Sequence, residues 1–496
     1  MNLFNNLGFS GNPFSKRSSE QELEFISEIF YEPNYYSTLV SDLASGDTRF
    51  VIGQRGHGKS SIVNKLFEDL ELMNNILVVK IDRYDSIPLK NNEIDLLLII
   101  IRKLVTKLSL KLLIEPNLVK RLNKYEKERL NFLISLFFKS ISDAEFQDVV
   151  DKIKKFKAKN FLIRLFNRFG INILNQLASS AVNVTSNLVR QSIGIEGISN
   201  DNLYREYFGN IEEFKISKQE INSADCTKDE LKNLLDHLFG ILSKLGTKKT
   251  VILFDKIDEF QQLNQDVSTI ANFTSEILSD NELLLNDSFS VGFSLWSELK
   301  SELSGTVRFD KFGTIDVRWT NKDMIPLINK RLKYFSKANQ INFSHIIRND
   351  FDQEEVIKLA NKSPRDLISL LSEIYQEQSN RNISVRTFDD KAIRSGMLNF
   401  CRHYDYDSLF PSKVGKNKEI KSMINRLLKM KLVRFNKSNL TSAFNQTSNQ
   451  SEGQIKIMKN YNLIHEEEIL GSHGIIYEII DPKVEFMIKH LVESIE

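Results

Sequence analysis

A glycine-rich stretch with a lysine and a serine at fixed spacing is the part of this sequence best suited to chemistry. Gly53, Gly58, Lys59 and Ser60 have the P-loop spacing G-x-x-x-x-G-K-S, within the run FVIGQRGHGKSSIVNKL. Glycines let backbone N–H groups curl around an anion, and the helix that follows directs its positive dipole end there. The lysine can then reach the outer phosphates of a nucleotide, and the serine hydroxyl can ligate magnesium.

We therefore predict a site for ATP with Mg²⁺ on this loop. The residues assigned to the phosphates are consecutive: Gly53, Gln54, Arg55, Gly56, His57, Gly58, Lys59, Ser60 and Ser61. The alternative is a tight turn between a strand and a helix whose lysine is merely solvated.

A second acidic motif follows an apolar run, VILFDKIDE, from Val251 onward. The run predicts a buried strand that carries Asp255 at its carboxyl end, where an aspartate would hold magnesium (Walker B). A glutamate usually comes next to polarise the attacking water, but here the residue is Lys256. Asp258 and Glu259 would supply the catalytic base if their loop turns back toward the γ-phosphate. The alternatives are slow hydrolysis in a nucleotide-dependent switch, and a plain surface acid pair.

The elements that must position these residues are short apolar strands and the helices between them. Strands are predicted at Phe50 onward, Ile76–Ile81, Thr250–Phe254 and Ser288–Ser294, and the continuous apolar runs are typical of buried parallel strands. Ser294 ends the last strand, which makes it a candidate sensor of the γ-phosphate. The fold class predicted is α/β, with a P-loop parallel sheet as its core.

Composition limits the class of protein, the number of domains and the expected location. A chain of 496 residues with 41% hydrophobic and 27% charged content describes a soluble protein of two to four domains. Two cysteines, Cys226 and Cys401, make neither a disulfide framework nor a zinc site, so a cytoplasmic location is expected. The least charged long segment, 169–189, is too polar to span a bilayer, and no secretory signal is expected at the start.

The gap between the second and third strands is much longer than a crossover helix requires, so a helical insertion is predicted at residues 111–225. Within it, Asp151–Arg168 is basic and amphipathic, which suits a nucleic-acid or membrane surface but equally a solvated helix face. The stretch Ala178–Gly197 offers a contact with a partner protein.

With these motifs in place, the sequence resembles the AAA+ ATPases of the origin-recognition-complex initiator family. The resemblance rests on GQRGHGKS, VILFDKIDE and SPRDLISLL, and it covers about residues 12–495 apart from the insertion. It implies that Arg365 opens the sensor-2 helix of a lid and touches the γ-phosphate. It also implies an arginine that reaches the nucleotide of a neighbouring subunit, for which Arg308 is the best match and Arg318 the second.

The resemblance also sets the expected domains. They are an N-terminal lead-in (1–49), an AAA+ nucleotide-binding core (50–110 and 226–320), the insertion (111–225), a helical lid (321–405) and a C-terminal winged helix (411–496).

The C-terminal part is predicted from its own pattern as three helices followed by a hairpin, which looks like a winged helix. Residues 412–489 hold 13 Lys and Arg against 8 Asp and Glu, a local charge of +5 that suits duplex DNA. Gln454, Lys456 and Lys459 would face outward from the third helix, Ser451–Asn460, and enter the major groove. The alternative for this module is protein docking.

The function expected is an ATP-binding AAA+ ATPase that acts as a nucleotide-dependent DNA-binding or assembly switch and forms oligomers. Two other functions stay open. One is a defence or mobile-element signalling ATPase whose insertion and winged helix dock an effector protein, and the other is a loader of a helicase or transposase. No nuclease, deaminase or protease constellation is evident among the seven histidines and two cysteines.

Overall fold

The computed structural model of the chain describes residues 2–137, 226–264, 266–338, 340–406, 417–467 and 475–495. A five-stranded sheet lies at its centre. Its strands are β1 (Arg49–Gly53), β2 (Ile76–Ile81), β3 (Lys249–Phe254), β4 (Phe289–Trp296) and β5 (Thr314–Asp316).

All neighbouring strands of this sheet are parallel, and their order is β2-β3-β4-β1-β5. Consecutive side chains of a strand point to opposite faces, so alternate residues enter two separate apolar cores. Val51 and Val78 pack in one core, whereas Ile52 and Val79 pack in the other. A sheet covered on both faces explains why the strands read as unbroken apolar runs. The predicted α/β P-loop core is confirmed.

Helices cover both faces of the sheet. They are α1 (Leu3–Asn6), α2 (Ile26–Ile29), α3 (Tyr36–Ser45), α4 (Lys59–Glu71), α5 (Glu93–Ile114), α6 (Lys124–Phe137), α7 (Lys228–Lys244), α8 (Val267–Leu278), α9 (Asn281–Leu284), α10 (Leu299–Leu303) and α11 (Phe309–Phe312). Short 3₁₀ segments lie at Leu23–Phe25, Pro116–Arg121, Ile257–Glu259 and Gln261–Leu263.

Part of the region predicted as an insertion belongs to the sheet's own core. Leu118, Leu133 and Phe137 are buried in the same apolar cluster as β2 and β3. The expectations for Asp151–Arg168 and Ala178–Gly197 fall outside the described residues.

The N-terminal segment packs against sequence-distant helices. Phe9 and Phe14 are fully buried beside Met324 and Leu332. The buried Arg331 side chain donates hydrogen bonds to the Pro13 carbonyl (2.6 Å) and to Glu22 (2.5 Å).

A helical segment follows the sheet. Its helices are α12 (Asn321–Phe335), α13 (Phe343–Ile346), α14 (Asp350–Leu359), α15 (Pro364–Arg381) and α16 (Asp390–Arg402). The Ser363 hydroxyl caps α15 by accepting from the Asp366 amide at 3.2 Å, and Pro364 occupies the first turn.

In the described part of the C-terminal module there are four helices and a small antiparallel sheet of order β6-β8-β7. Its elements are α17 (Asn417–Met430), β6 (Arg434–Asn436), α18 (Lys437–Phe444), α19 (Ser448–Asn460), β7 (Ile464–Glu467), β8 (Ile476–Ile479) and α20 (Pro482–Lys489). Sequence analysis predicted three helices and the β7–β8 hairpin but missed β6 and α20, and the hairpin turn lies outside the described residues. Helix α19 begins three residues before the predicted start.

Within the described residues, every helix is too short or too polar to cross a lipid bilayer.

Candidate nucleotide-phosphate site

The P-loop joins the carboxyl end of β1 to the first turn of α4. Gly56 (φ 80°) and Gly58 (φ 81°) both adopt left-handed backbone conformations, which glycine reaches without strain. A Cβ atom on Gly56 would stand 2.7 Å from the Ser363 hydroxyl oxygen, so that position also requires a hydrogen in place of a side chain. The turn thereby directs backbone N–H groups and the N-terminal end of α4 toward one point, as in an anion-binding nest.

Lys59 is buried inside this turn. The side chain is 8% exposed, and the ammonium donates hydrogen bonds to the carbonyls of Gly53 (3.0 Å) and Gln54 (3.2 Å). Burial lowers the pKa of Lys59, while the charges of Asp258 and Asp255 oppose that shift. A desolvated ammonium bonded to neutral carbonyls is well suited to donate to an anionic oxygen.

Asp255 lies at the end of β3, directly across from Ser60 and Ser294. The residue is 1% exposed. Burial raises the pKa of Asp255, although the nearby hydroxyls of Ser294 and Ser60 act in the opposite direction. The Oδ2 atom has no hydrogen-bond partner among the described residues.

This donor set fits magnesium. A buried carboxylate with one unpartnered oxygen, next to a serine hydroxyl, presents the hard oxygen ligands that Mg²⁺ prefers. The cation would offset the cost of burying the Asp255 charge.

Ser294 reaches this position because β4 lies between β3 and β1. Phe254 pairs with Phe293, so the residues that follow each of them, Asp255 and Ser294, lie side by side. The strand does not end at Ser294 as predicted but continues to Trp296, which pairs with Gly53.

The acidic loop after β3 turns toward the P-loop at Asp258. Its carboxylate lies 3.5 Å from the Arg55 guanidinium, and Arg55 also donates to the Asp258 carbonyl at 3.0 Å. The guanidinium stacks over the Trp296 ring at 4.9 Å. Asp258 is 8% exposed, whereas Glu259 is exposed to solvent. Desolvation and the Asp258 charge raise the pKa of Glu259.

Lys256, which stands where a glutamate was expected, has a left-handed backbone conformation (φ 60°). Its ammonium forms an ion pair with Glu20 of the N-terminal segment. Although desolvation opposes ionisation of Glu20, the hydrogen bond from Lys256 holds its pKa at about 2. The lysine side chain is therefore engaged with the N-terminal segment, a contact that no sequence pattern indicated.

Arg365 lies next to the P-loop, in the first turn of α15. Its backbone amide donates to the Gly56 carbonyl at 3.3 Å, and the positive charge of Arg365 contributes to lowering the pKa of Lys59. The P-loop, Asp255 and Arg365 therefore lie at one site, although they come from three distant stretches of sequence.

The remaining loop residues form the outer wall of this site. Gln54 is exposed, and Ser61 is half-buried on α4. His57 Nδ1 lies 3.4 Å from the Val317 carbonyl oxygen, and the Trp319 indole donates to the His57 carbonyl at 2.9 Å. Burial lowers the pKa of His57, so its imidazole adds little positive charge to the loop at neutral pH.

The two arginines predicted to act between subunits lie on the surface. Arg308 is 55% exposed and forms a two-pronged ion pair with Asp310 (2.9 and 3.0 Å). Arg318 is 82% exposed and pairs with Asp316 at 2.9 Å. Neither ion pair involves the P-loop of the same chain, and the role of these arginines between subunits stays a prediction.

The predicted DNA-contacting residues on α19 differ in their surroundings. Lys456 is exposed and forms no ion pair among the described residues. Lys459 pairs with Glu466 and lies 5.5 Å from the centre of the Tyr477 ring. Gln454 was predicted to face outward, yet it is half-buried and exchanges hydrogen bonds with Gln446 (2.9 and 3.0 Å). Their contact with DNA stays a prediction.

Comparison with known proteins gives structural similarity only. A scan against models of known protein families finds no match, and a sequence comparison with curated proteins finds none either. Among solved structures, the chain is similar to a Walker-type ATPase of Pyrococcus abyssi (12% identity, TM-score 0.38, covering 93% of this chain and 97% of that one).

Two further similar structures are Cdc6p of Pyrobaculum aerophilum and Drosophila ORC bound to DNA. For Cdc6p the identity is 9% and the TM-score 0.30, with 98% of each chain covered. For ORC the identity is 10% and the TM-score 0.32, with 98% of this chain and 90% of that chain covered. At such scores, the assignment of the fold depends on the strand order and the position of the P-loop in this chain.

Proposed function

We propose that the protein binds ATP with Mg²⁺ at the P-loop and hydrolyses it slowly, as an AAA+ ATPase. The observation that carries this proposal is the meeting of Lys59, the Asp255–Ser60 pair and Arg365 around one turn. Each contributes a different part of phosphate recognition: a buried cation, a pair of oxygen ligands for metal, and a second cation from a separate helix.

The residues of the site have separate roles in binding phosphate, metal and water. The P-loop amides and Lys59 orient the phosphates, and Arg365 approaches them from α15. Ser60 and Asp255 would hold Mg²⁺, which supplies charge neutralisation at the β- and γ-phosphates when it is bound. Ser294 lies beside Asp255 on the neighbouring strand and would help to orient its carboxylate. Asp258, held by Arg55, is the acid best placed to orient a water molecule, and Glu259 is the alternative.

Slow turnover follows from Lys256. The position directly after Asp255, where a catalytic glutamate is usual, is occupied by Lys256, whose ammonium is bound to Glu20. Asp258 is already paired with Arg55, so its carboxylate is less free to orient a water molecule. Nucleotide binding does not depend on either feature, so a switch that holds ATP for long periods is consistent with both.

The C-terminal module would connect the nucleotide state to a partner. We propose that it is a winged helix that binds duplex DNA, supported by the excess positive charge of residues 412–489 and the exposed Lys456. Assembly into oligomers is proposed from the exposed Arg308, whose side chain is accessible to a neighbouring subunit.

One observation favours a second function for this module. Gln454 and Lys459 are occupied by Gln446 and Glu466, which leaves fewer side chains for DNA. Such a surface suits docking of an effector protein, as in a defence or mobile-element signalling ATPase. A loader of a helicase or transposase would use the module in the same way.

The Lys59→Ala variant tests the nucleotide proposal. We expect its ATP affinity to fall by at least about 100-fold, since a buried charged partner of the phosphates is lost. Equilibrium binding of a fluorescent ATP analogue measures this. Lys65→Ala is the matched control, because Lys65 lies on the same helix but pairs with Asp69. Unchanged binding by Lys59→Ala would overturn the proposed site.

The two functions of the module separate in a DNA-binding experiment with and without ATP. Fluorescence anisotropy with a labelled duplex over a series of salt concentrations should show binding that weakens with salt. Absence of binding at low salt would favour the docking function.

A further inference from the structure

A lysine of the C-terminal module is buried where the module meets the helical segment. Lys483, on the first turn of α20, is 1% exposed. Its ammonium lies 4.2 Å from the centre of the Tyr404 ring and 3.9 Å from an Asp481 carboxylate oxygen. Burying an ammonium is costly unless opposite charge and polar groups surround it. The position therefore needs an explanation beyond packing.

The opposite charge comes from two carboxylates, that of Asp481 and that of Asp366, the residue next to Arg365. Asp366 accepts a hydrogen bond from the Tyr404 hydroxyl at 2.7 Å. Burial raises the pKa of Asp366, and the charge of Lys483 is the strongest influence in the opposite direction. Asp366, Tyr404 and Lys483 thus form one polar cluster, which we call the junction cluster.

Asp481 fixes the module's side of the junction cluster. Its carboxylate accepts from the backbone amides of Lys483 (2.8 Å) and Val484 (3.1 Å), which caps α20. The surroundings are apolar, because Cys401 and Tyr406 are fully buried next to these groups. In an apolar setting the charges interact strongly and tolerate little displacement.

The other end of the same helical turn contacts the P-loop. Arg365 donates its backbone amide to Gly56, and the Ser363 hydroxyl lies 3.5 Å from the same carbonyl oxygen. The first turn of α15 is therefore held between two partners. The P-loop contacts it through Gly56, and Lys483 of the C-terminal module reaches it through Tyr404, whose hydroxyl donates to Asp366.

We propose that Lys483 is a positioning residue for Arg365, so that the C-terminal module must be docked for Arg365 to reach the γ-phosphate. This inference rests on the proposed ATP site. Binding energies at two coupled sites are reciprocal, so ATP would in turn stabilise the docked position of the module. Any ligand that displaces the module would weaken ATP binding more than ADP binding, because only ATP carries the phosphate that Arg365 touches.

The test compares ATP and ADP affinities in the full-length protein. Arg365→Ala should weaken ATP binding by about tenfold and leave ADP binding within about twofold. Lys483→Met removes the charge but keeps most of the side-chain volume, and it should give the same selective loss of at least about fivefold for ATP. In the Arg365→Ala background, Lys483→Met should have no further effect on ATP affinity, since both act through one contact.

Lys489→Met is the matched control. Lys489 lies on the same helix α20 but is 52% exposed and pairs with Glu485. Lys489→Met should change neither the ATP affinity nor the ADP affinity. If Lys483→Met weakens ATP and ADP equally, or neither, then Lys483 has only a structural role and the inference is wrong.

A second variant covers the case in which Lys483→Met unfolds. Asp366→Leu combined with Lys483→Met replaces both buried charges by apolar groups, which proteins often tolerate. Circular dichroism and thermal unfolding establish that it is folded, and its ATP selectivity should also be lost. Retained selectivity in the folded double variant would overturn the inference.

A different result would refute the proposed ATP site itself, namely that Lys59→Ala binds ATP as well as the wild-type protein does. Loss of selectivity in Arg365→Ala without loss in Lys483→Met refutes only the positioning role.

Discussion

The proposed phosphate site around the P-loop, which we call the nucleotide cleft, and the surface of α19 both carry lysines proposed to bind phosphate groups, but the two lysines have opposite surroundings. Lys59 is buried, bonded to the neutral carbonyls of Gly53 and Gln54, and supported by a helix dipole. Lys459 is partly exposed and already neutralised by Glu466. A desolvated cation gains far more from an anion than a solvated, paired one, because water no longer screens the interaction.

The difference sets expectations for the two ligands. The cleft should bind one triphosphate in one geometry, with large effects from single substitutions. The α19 surface should bind a polyanion weakly and without strict register, with small effects that depend on salt.

Asp255→Asn should have the largest effect on the cleft. The substitution removes the buried charge proposed to hold Mg²⁺, so Mg²⁺-dependent ATP hydrolysis should fall by at least about 100-fold. Thermal stability should not fall, because burial raises the pKa of Asp255 and its charge is unfavourable in the absence of metal. Phosphate-release assays and thermal unfolding measure the two results.

Asp82→Asn is the control for this substitution. Asp82 follows β2 in the same sheet but pairs with Lys80 at 3.1 Å. Equal losses of hydrolysis in both variants would mean that the Asp255 position has no special role.

Lys256→Glu tests whether this position limits turnover. A glutamate here would stand beside Glu20 and be repelled, so the single variant should gain little. Combined with Glu20→Gln, the new carboxylate is free to orient water, and turnover should rise by at least about tenfold. Steady-state hydrolysis at saturating ATP is the measurement. A double variant no faster than the wild type would contradict the importance of this position.

These two regions also differ in how well the sequence predicted them. Around the cleft, the P-loop spacing, the apolar strands and the Ser363-Pro364 helix start each follow from local rules, and the parallel sheet then brings Asp255 to Ser60. The contacts that distinguish this chain are not local. The pairs Glu20–Lys256 and Lys483–Tyr404 join segments that meet only after folding.

In the C-terminal module the sequence rules failed for different reasons. Strand β6 has three residues, Arg434–Asn436, too few for any alternation to be recognised. Helix α20 carried a usable signal, since Asp481 and Pro482 form a cap and a first turn. The orientation of Gln454 was misjudged because its partner Gln446 lies on the preceding loop.

On the α19 surface, Lys456→Glu should weaken binding of a duplex by about fivefold. It should also reduce the slope of log affinity against log salt concentration by about one. Lys459→Glu should have a smaller effect on DNA, because Glu466 already neutralises this lysine. Anisotropy titrations at several salt concentrations distinguish the two. If Lys459→Glu weakened DNA binding more than Lys456→Glu, the Lys459–Glu466 ion pair would have to open when DNA binds. If neither variant changed DNA binding, protein docking would be favoured.

The smallest expected effect concerns the half-exposed ion pair at the rim of the cleft. Because the folded-state pKa of Glu20 is about 2, below its ordinary value of 4.5, the pair stabilises the protein above pH 4.5. That stability is lost as the pH falls from 4.5 to 2. Solvent screening limits the contribution to less than about 1 kcal/mol. Urea unfolding at pH 7 and pH 3 should therefore show a smaller loss of stability in Glu20→Gln than in the wild type.

Glu452, on the α19 surface, provides the contrast for this last prediction. Its ion pair with Lys437 lowers the pKa of Glu452, yet both side chains are exposed. Glu452→Gln should therefore leave the acid dependence of unfolding unchanged. If Glu452→Gln changed the acid dependence of unfolding as much as Glu20→Gln does, the rim of the cleft would be no better shielded from solvent than the module surface. The electrostatic contrast between the two regions would then be confined to the buried groups around Lys59.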